Sequence, residues 1–252
     1  MKHIISVILL IIVFGFSACK EDGNGEVKET ATLNLELSHT VGGEALVFNT
    51  QVYSNALGEK YNIQDFKYYL SNIKLRNASD GTFFLEPESY HLVQAEEGNN
   101  FVIVIENIPL GKYSQLEFAI GVDNATNTST DRLGALDPSN EMAWDWNTGY
   151  KFLLLEGKYG TAEDQLNEGL VYHIGGDANY RILKFDLKTN GDELELKANQ
   201  EQSIALDADV AAIFAAPNPV SFAEHPVVMH DPFSQKVADN YAANMFSLST
   251  LK

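Results

Sequence analysis

A mainly β fold, an antiparallel β-sandwich with long loops and a short C-terminal helix, is what this sequence predicts. Three observations carry it. Short runs alternate apolar and polar residues with the period of two that a half-buried strand requires. Turn residues separate those runs at the spacing of sandwiches and barrels. The best helical period lies near the end, where Asp231 can cap, Pro232 suits the first turn, and Phe233, Val237, Tyr241 and Met245 recur four residues apart.

The chain opens with a segment outside that fold. Lys2 precedes an apolar run, Ile4 to Phe16, broken by Ser6 and Gly15 and ending in Ser17-Ala18-Cys19. A charged start, an apolar core and small residues at the cut make residues 1–18 a signal peptide. The run is shorter than the roughly 20 apolar residues a membrane span needs. Phe16-Ser17-Ala18-Cys19 resembles a bacterial lipobox, which implies cleavage before Cys19 and lipidation of its thiol. Cys19 is the only cysteine, so it has no partner for an internal disulfide. Acyl chains there would anchor the protein, each buried CH₂ contributing about 0.8 kcal/mol. Lys20-Glu21-Asp22 resembles the basic-acidic-acidic export signal of surface lipoproteins. The expectation is an exported protein, lipid-anchored in the outer membrane, on its periplasmic side or at the cell surface. Residues 19–30, small or charged, read as a flexible tether, and 31–252 as one domain.

The strands follow in order. Thr32-Leu33-Asn34-Leu35-Glu36-Leu37 alternates strictly, and Val47 to Tyr53 is strand-like. In Ile63 to Leu75 the apolar phase moves from Phe66, Tyr68 and Leu70 to Ile73 and Leu75, which predicts a bulge near Ser71-Asn72. Phe83–Leu85, Tyr90–Val93, Phe101–Ile105 and Tyr113–Val122 are further strands, then Tyr150–Leu155, Leu170–Ile174 and Tyr180–Leu187. Asn190-Gly191 marks a hairpin turn before the short strands at Leu194-Leu196 and Ile204-Leu206. Asp209 to Phe214 reads as a short helix ended by Pro217.

Charge excludes whole classes of partner. The formal net charge is −18, and losing Lys2 with the signal leaves 16 basic (17 minus Lys2) against 35 acidic residues, or −19. Such a surface repels nucleic acid and offers no polybasic contact to anionic lipid. No nucleophile elbow, P-loop, dinucleotide fingerprint or His-Glu-x-x-His occurs, and the acidic pairs Glu96-Glu97 and Asp192-Glu193 lie in polar turns. A non-enzymatic protein is expected.

Residues 123–149 form the unusual segment. Asp123 to Asp131 is rich in oxygen ligands, but Ala125 and Thr128 spoil an EF-hand spacing, leaving an irregular calcium loop as the alternative to a solvated one. Both tryptophans, Trp144 and Trp146, follow two residues apart, so an extended backbone would point them to one side. Either they anchor the loop or they serve a function there.

Here the chain resembles a family. Tyr68-Tyr69-Leu70-Ser71-Asn72-Ile73, Gly121-Val122-Asp123, Leu136-Asp137-Pro138, Met142 to Tyr150, Leu155-Glu156-Gly157, His173-Ile174-Gly175-Gly176 and Ala238-Asp239-Asn240 occur in that order. The series is similar to the copper-binding MbnP-like family of exported bacterial proteins, over nearly the whole mature chain. The resemblance implies a β-sandwich that binds copper outside the cytoplasm. It also implies a tryptophan oxidised to kynurenine by a partner di-haem peroxidase-like enzyme, with the kynurenine amine and two histidines holding the metal. The residue chemistry agrees: an indole N–H only donates, whereas ring opening gives an aromatic amine with a free lone pair. Imidazole suits copper, and Cu(I) accepts few ligands. Trp144 is favoured over Trp146 by a small margin.

Five histidines follow the signal peptide. His173, ahead of Gly175-Gly176, matches the family-like stretch and is the first candidate ligand; His39, ahead of Gly42-Gly43, is the second. His91 reads as an ordinary strand histidine. His225-Pro226-Val227-Val228-Met229-His230 supplies a lower-ranked set, His225, His230 and the Met229 thioether. The rival reading is a metal-free surface module for glycan or protein, using the aromatic loops.

Overall fold

The computed structural model describes residues 29–252, apart from 99, 129–131, 145–148, 190–191, 230 and 252. The expected signal peptide and Cys19 therefore lie outside the described residues. In chain order the strands are β1 (Thr30–Val41), β2 (Glu44–Ala45), β3 (Tyr53–Ser54), β4 (Lys60–Asn77), β5 (Phe83–Leu85), β6 (Tyr90–Gln94), β7 (Phe101–Pro109) and β8 (Gly111–Ile120). Then come β9 (Lys151–Gly160), β10 (Glu168–Gly175), β11 (Arg181–Asp186), β12 (Lys188–Thr189), β13 (Asp192–Leu196), β14 (Gln202–Asp209) and β15 (Val227–Met229). Helix α1 (Ser234–Asn244) and β16 (Phe246–Leu251) close the chain.

Two sheets face each other. The smaller runs β16-β14-β1-β2, with β7 also on β1. The larger runs β12-β13-β8-β4-β9-β10-β15, with β11 on β8 and β3, β5 and β6 on β4. Alternation in β1 turns Leu33, Leu35 and Leu37 inward, fully buried, against Phe66, Tyr68, Leu70, Leu153, Leu155 and Tyr172 of the larger sheet. At about 25 cal/mol per Å² of apolar surface, this inter-sheet layer is the main source of stability.

The mainly β expectation is met, with corrections. The sheets are mixed, because β1 pairs β14 in parallel and β10 pairs β15 in parallel. A parallel partner must return by a long crossover, and no local signal marks such a pairing. Asp209–Phe214 forms only a 3-10 turn over Val210–Phe214, with Asp209 Oδ1 accepting from Ala211 N at 3.0 Å. The C-terminal helix forms as expected: Asp231 Oδ1 accepts from Phe233 N at 2.7 Å, and Val237, Tyr241 and Met245 are buried. The following strand, β16, was not anticipated; it pairs β14. The bulge in β4 is present, with a register shift against β8 between Ser71 and Lys74 and Asn72 at φ 55°. The Asn190-Gly191 turn lies outside the described residues, while its flanks pair as the hairpin Lys188↔Glu193 and Thr189↔Asp192.

The larger sheet forks, and the fork positions the site. β6 pairs Lys67 to Ser71 along one edge of β4. β9 pairs Lys60 to Tyr68, and β8 pairs Leu70 to Asn77, so both occupy the other edge in succession. At the division Gly121 N donates to Tyr69 O at 2.9 Å. Gly121 has φ +113°, and a Cβ there would come within 2.5 Å of the Phe152 ring, so glycine is required twice over. Residues 121–150 leave β8 at this fork and return to β9. On the outer face of the sheet they build a second small core of Tyr69, Val122, Leu136, Met142, Tyr150, Phe152 and Leu154.

Candidate metal centre

The long loop is held by two tyrosine hydroxyls, one from β4 and one from its own end. Tyr69 OH donates to Ala135 O at 2.8 Å and Tyr150 OH to Leu136 O at 2.9 Å. The tryptophan segment then lies back along the start of β9: Lys151 N donates to Met142 O at 2.7 Å and Trp144 N to Gly149 O at 3.1 Å, with Ala143 bridged to Tyr150. Met142 and Trp144, two apart, both face the sheet and are buried, Trp144 at 6% exposure.

Trp144 comes to rest beside His173, with ring centroids 6.2 Å apart and planes tilted by 56°. Gly175, two residues beyond His173 on the same face of β10, makes the approach possible. A Cβ at Gly175 would strike Tyr150 O and lie 3.0 Å from Trp144 Nε1. The Lys151 ammonium lies 5.6 Å from the centre of the Trp144 ring and donates to Glu141 O at 2.9 Å. His173 Nε2 hydrogen-bonds to Glu156 Oε1 at 2.8 Å. Burial lowers the His173 pKa, with the Lys151 charge acting in the same direction, while the Glu156 hydrogen bond opposes it. The ring is therefore neutral near pH 7, the form in which it binds a metal.

Sheet register brings a further candidate side chain to the same face. One row runs across the outer face from Lys67 through Leu154 and His173 to Met229. Paired residues on adjacent strands leave the same face about 4.8 Å apart. Met229, 41% exposed, thus sits beside His173, and the inward residue of β15 is Val228. An imidazole, a thioether and an indole share one corner of the sheet.

His39 is elsewhere, which corrects the expectation that it joins His173. Its ring meets Phe66 and Tyr68 edge-on at 6.0 and 5.9 Å, and its Nε2 is 3.2 Å from Tyr68 OH. Phe66 and Tyr68 flank Lys67 and point into the inter-sheet core, whereas the Lys67 row points outward. Alternate residues of a strand leave opposite faces, so the larger sheet stands between the two histidines. Burial lowers the His39 pKa to about 4. His225 stacks flat on Phe233, centroids 3.6 Å apart, and His91 Nε2 binds Glu86 Oε2 at 2.9 Å. Trp146 and His230 lie outside the described residues.

Among the described residues no three His, Cys, Asp or Glu side chains converge as a metal group. A site made of one histidine, a thioether and an aromatic ring is not of that kind. Of the carboxylates in the expected calcium loop, Asp123 is engaged by neutral donors and Asp131 lies outside the described residues. Asp123 Oδ2 accepts from Tyr90 OH at 2.5 Å and Asn72 Nδ2 at 3.1 Å, and Asp177 accepts from the amides of Asn124 and Asn127. Asn72 and Asp123 wall a separate cleft of about 490 Å³ with Tyr90, Thr126 and Tyr180. Sequence reasoning gave Glu156, Lys151 and Gly175 no individual role. The signal available was that Glu156 and Gly175 fall in the family-like stretches Leu155-Glu156-Gly157 and His173 to Gly176.

The MbnP family model matches residues 30–231. Among solved structures, MbnP from Methylosinus trichosporium superposes with a TM-score of 0.54 at 15% identity. The match covers 87% of this chain and 98% of that one, so the fold is shared although few residues are. A search of curated protein sequences gives no significant match. With the family model spanning β1 through β15 and the tryptophan loop between them, the chain belongs to the MbnP family.

Proposed function

We propose that this protein is a non-catalytic copper-binding lipoprotein of the cell envelope. It is anchored through Cys19 and carries its metal at the corner formed by Trp144, His173 and Met229. The observation that supports this most is the register that sets Met229 beside His173, with Trp144 laid over the same face. An imidazole and a thioether form a soft donor pair suited to Cu(I) and poorly suited to calcium or magnesium. This reading replaces the second histidine of the family-based expectation with a thioether.

Trp144 becomes a donor only after oxidation. Two equivalents of peroxide, used by a di-haem peroxidase-like partner, deliver two oxygen atoms across the indole C2–C3 bond and leave as water. Hydrolysis of the resulting formyl group releases formate and leaves kynurenine, whose aromatic amine has a lone pair that the indole lacks. Relative to tryptophan, the side chain loses one carbon and gains one oxygen.

The test is co-expression with such a partner, intact-mass measurement of the mature chain, and competitive Cu(I) titration. The carbon-for-oxygen exchange should appear with the partner and vanish in Trp144→Phe. His173→Ala and Met229→Leu should lose tight binding in folded protein, and His39→Gln should keep it. Unchanged binding in both His173→Ala and Met229→Leu would sink the proposal. A metal-free recognition module for glycan or protein would then be the better account.

A further inference from the structure

The geometry points to Glu156 as a positioning residue that fixes which nitrogen of His173 is free to bind metal; this rests on the copper reading above. Glu156 and His173 are diagonal neighbours on the outer face of β9 and β10, since Glu156 pairs Val171 while His173 pairs Leu154. Their contact, His173 Nε2 to Glu156 Oε1 at 2.8 Å, joins a side chain that is 13% exposed to one that is 46% exposed. An ionised carboxylate has only acceptors, so the nitrogen facing it must carry the proton. A neutral imidazole has a single N–H. Holding it on Nε2 leaves the lone pair on Nδ1.

Without Glu156 the ring is free to exchange tautomers and to rotate. A metal arriving at the Trp144–Met229 corner would then find the coordinating nitrogen correctly presented only part of the time. Carboxylate partners of ligating histidines act in this way, and losing one typically weakens metal binding by about 10–100-fold. Glu156 touches no metal in this scheme. Its half-exposed side chain makes the substitution tolerable to the fold.

Two readouts separate this claim from the copper proposal. The first is nitrogen NMR of His173 in the metal-free, unmodified chain, which reports the tautomer directly. Wild type and Glu156→Gln, whose amide oxygen still accepts, should both carry the proton on Nε2. Glu156→Ala should show a mixture or the Nδ1–H form. The second is Cu(I) affinity of the partner-modified chain. Glu156→Ala should bind about 10–100-fold more weakly, and Glu156→Gln should stay within a few-fold of wild type. An Nδ1–H ring in wild type overturns the inference, as does a Glu156→Ala variant with unchanged tautomer. A Glu156→Gln variant as weak as Glu156→Ala also overturns it, since charge and not tautomer would then be at work. If modified wild type binds no copper, the functional proposal fails, while the NMR result still decides the tautomer claim.

Discussion

Acid should weaken this protein through one buried imidazole, and the size of the effect follows from where His39 lies. His39 sits on the inward face of β1, 7% exposed, with its Nε2 against Tyr68 OH. Burial lowers its pKa to about 4 from the 6.5 of a free imidazole. Between those values the unfolded chain takes up a proton that the folded chain refuses, so stability falls as the pH falls. The contribution is complete above pH 6.5 and lost by about pH 4. At 1.36 kcal/mol per tenfold change in proton affinity, it comes to about 3 kcal/mol. His173, also held down by burial, adds a slope of the same sign, so the readout is the difference between wild type and His39→Gln. Glutamine retains a polar group near Tyr68 but does not titrate. Urea unfolding of the domain at a series of pH values from 7 to 4 should show the stability gap between the two proteins closing or reversing by about 3 kcal/mol. Parallel curves for the two proteins would refute the reasoning and mean that the folded protein protonates His39 without penalty.

Other outcomes follow from the same contacts. Gly175→Ala drives a Cβ against Tyr150 O and the Trp144 ring and should cost about 1–3 kcal/mol; shifted tryptophan fluorescence and lower thermal stability would register it. Met229→Leu, at a 41% exposed position, should change stability by no more than about 0.5 kcal/mol while removing copper affinity, so unfolding and titration together isolate the donor role. Lys151→Met removes a positive charge that depresses the His173 pKa, which should therefore rise when followed by NMR titration. Asn240, fully buried, donates to Ile213 O at 2.9 Å and Asn218 O at 2.8 Å and accepts from Asn218 N at 2.8 Å. Asn240→Ala should cost about 3 kcal/mol, near 1 kcal/mol for each lost bond, in denaturant unfolding.

Local chemistry was legible wherever a single segment determines its own state. The period of two in Thr32–Leu37 made β1, the phase slip at Ser71-Asn72 made the bulge in β4, and the i+4 apolar row after Asp231 made α1. The same local rules overreached at Asp209–Phe214, where an Ala-rich stretch reads as a helix but is pinned as a 3-10 turn between β14 and the loop that follows. They also missed β16, whose brief Phe246–Leu251 alternation becomes a strand because β14 offers it an edge.

Sequence alone determined the fold class and the family-like order of motifs, and it named the tryptophan loop and His173 as candidates. It could not tell His39 from His173, because both occupy strand ends ahead of a glycine pair and carry the same local signature. Nor could it say that Met229 pairs with His173 on a neighbouring strand. Both are properties of the tertiary structure. Strand parity fixes which residues share a face, but only the order of strands in the sheet fixes which faces meet, and that order rests on pairings between segments far apart in the chain. The parallel pairing of β15 with β10 brought a thioether beside an imidazole. The inward turn of β1 put the thickness of the larger sheet between His39 and the indole it was expected to join.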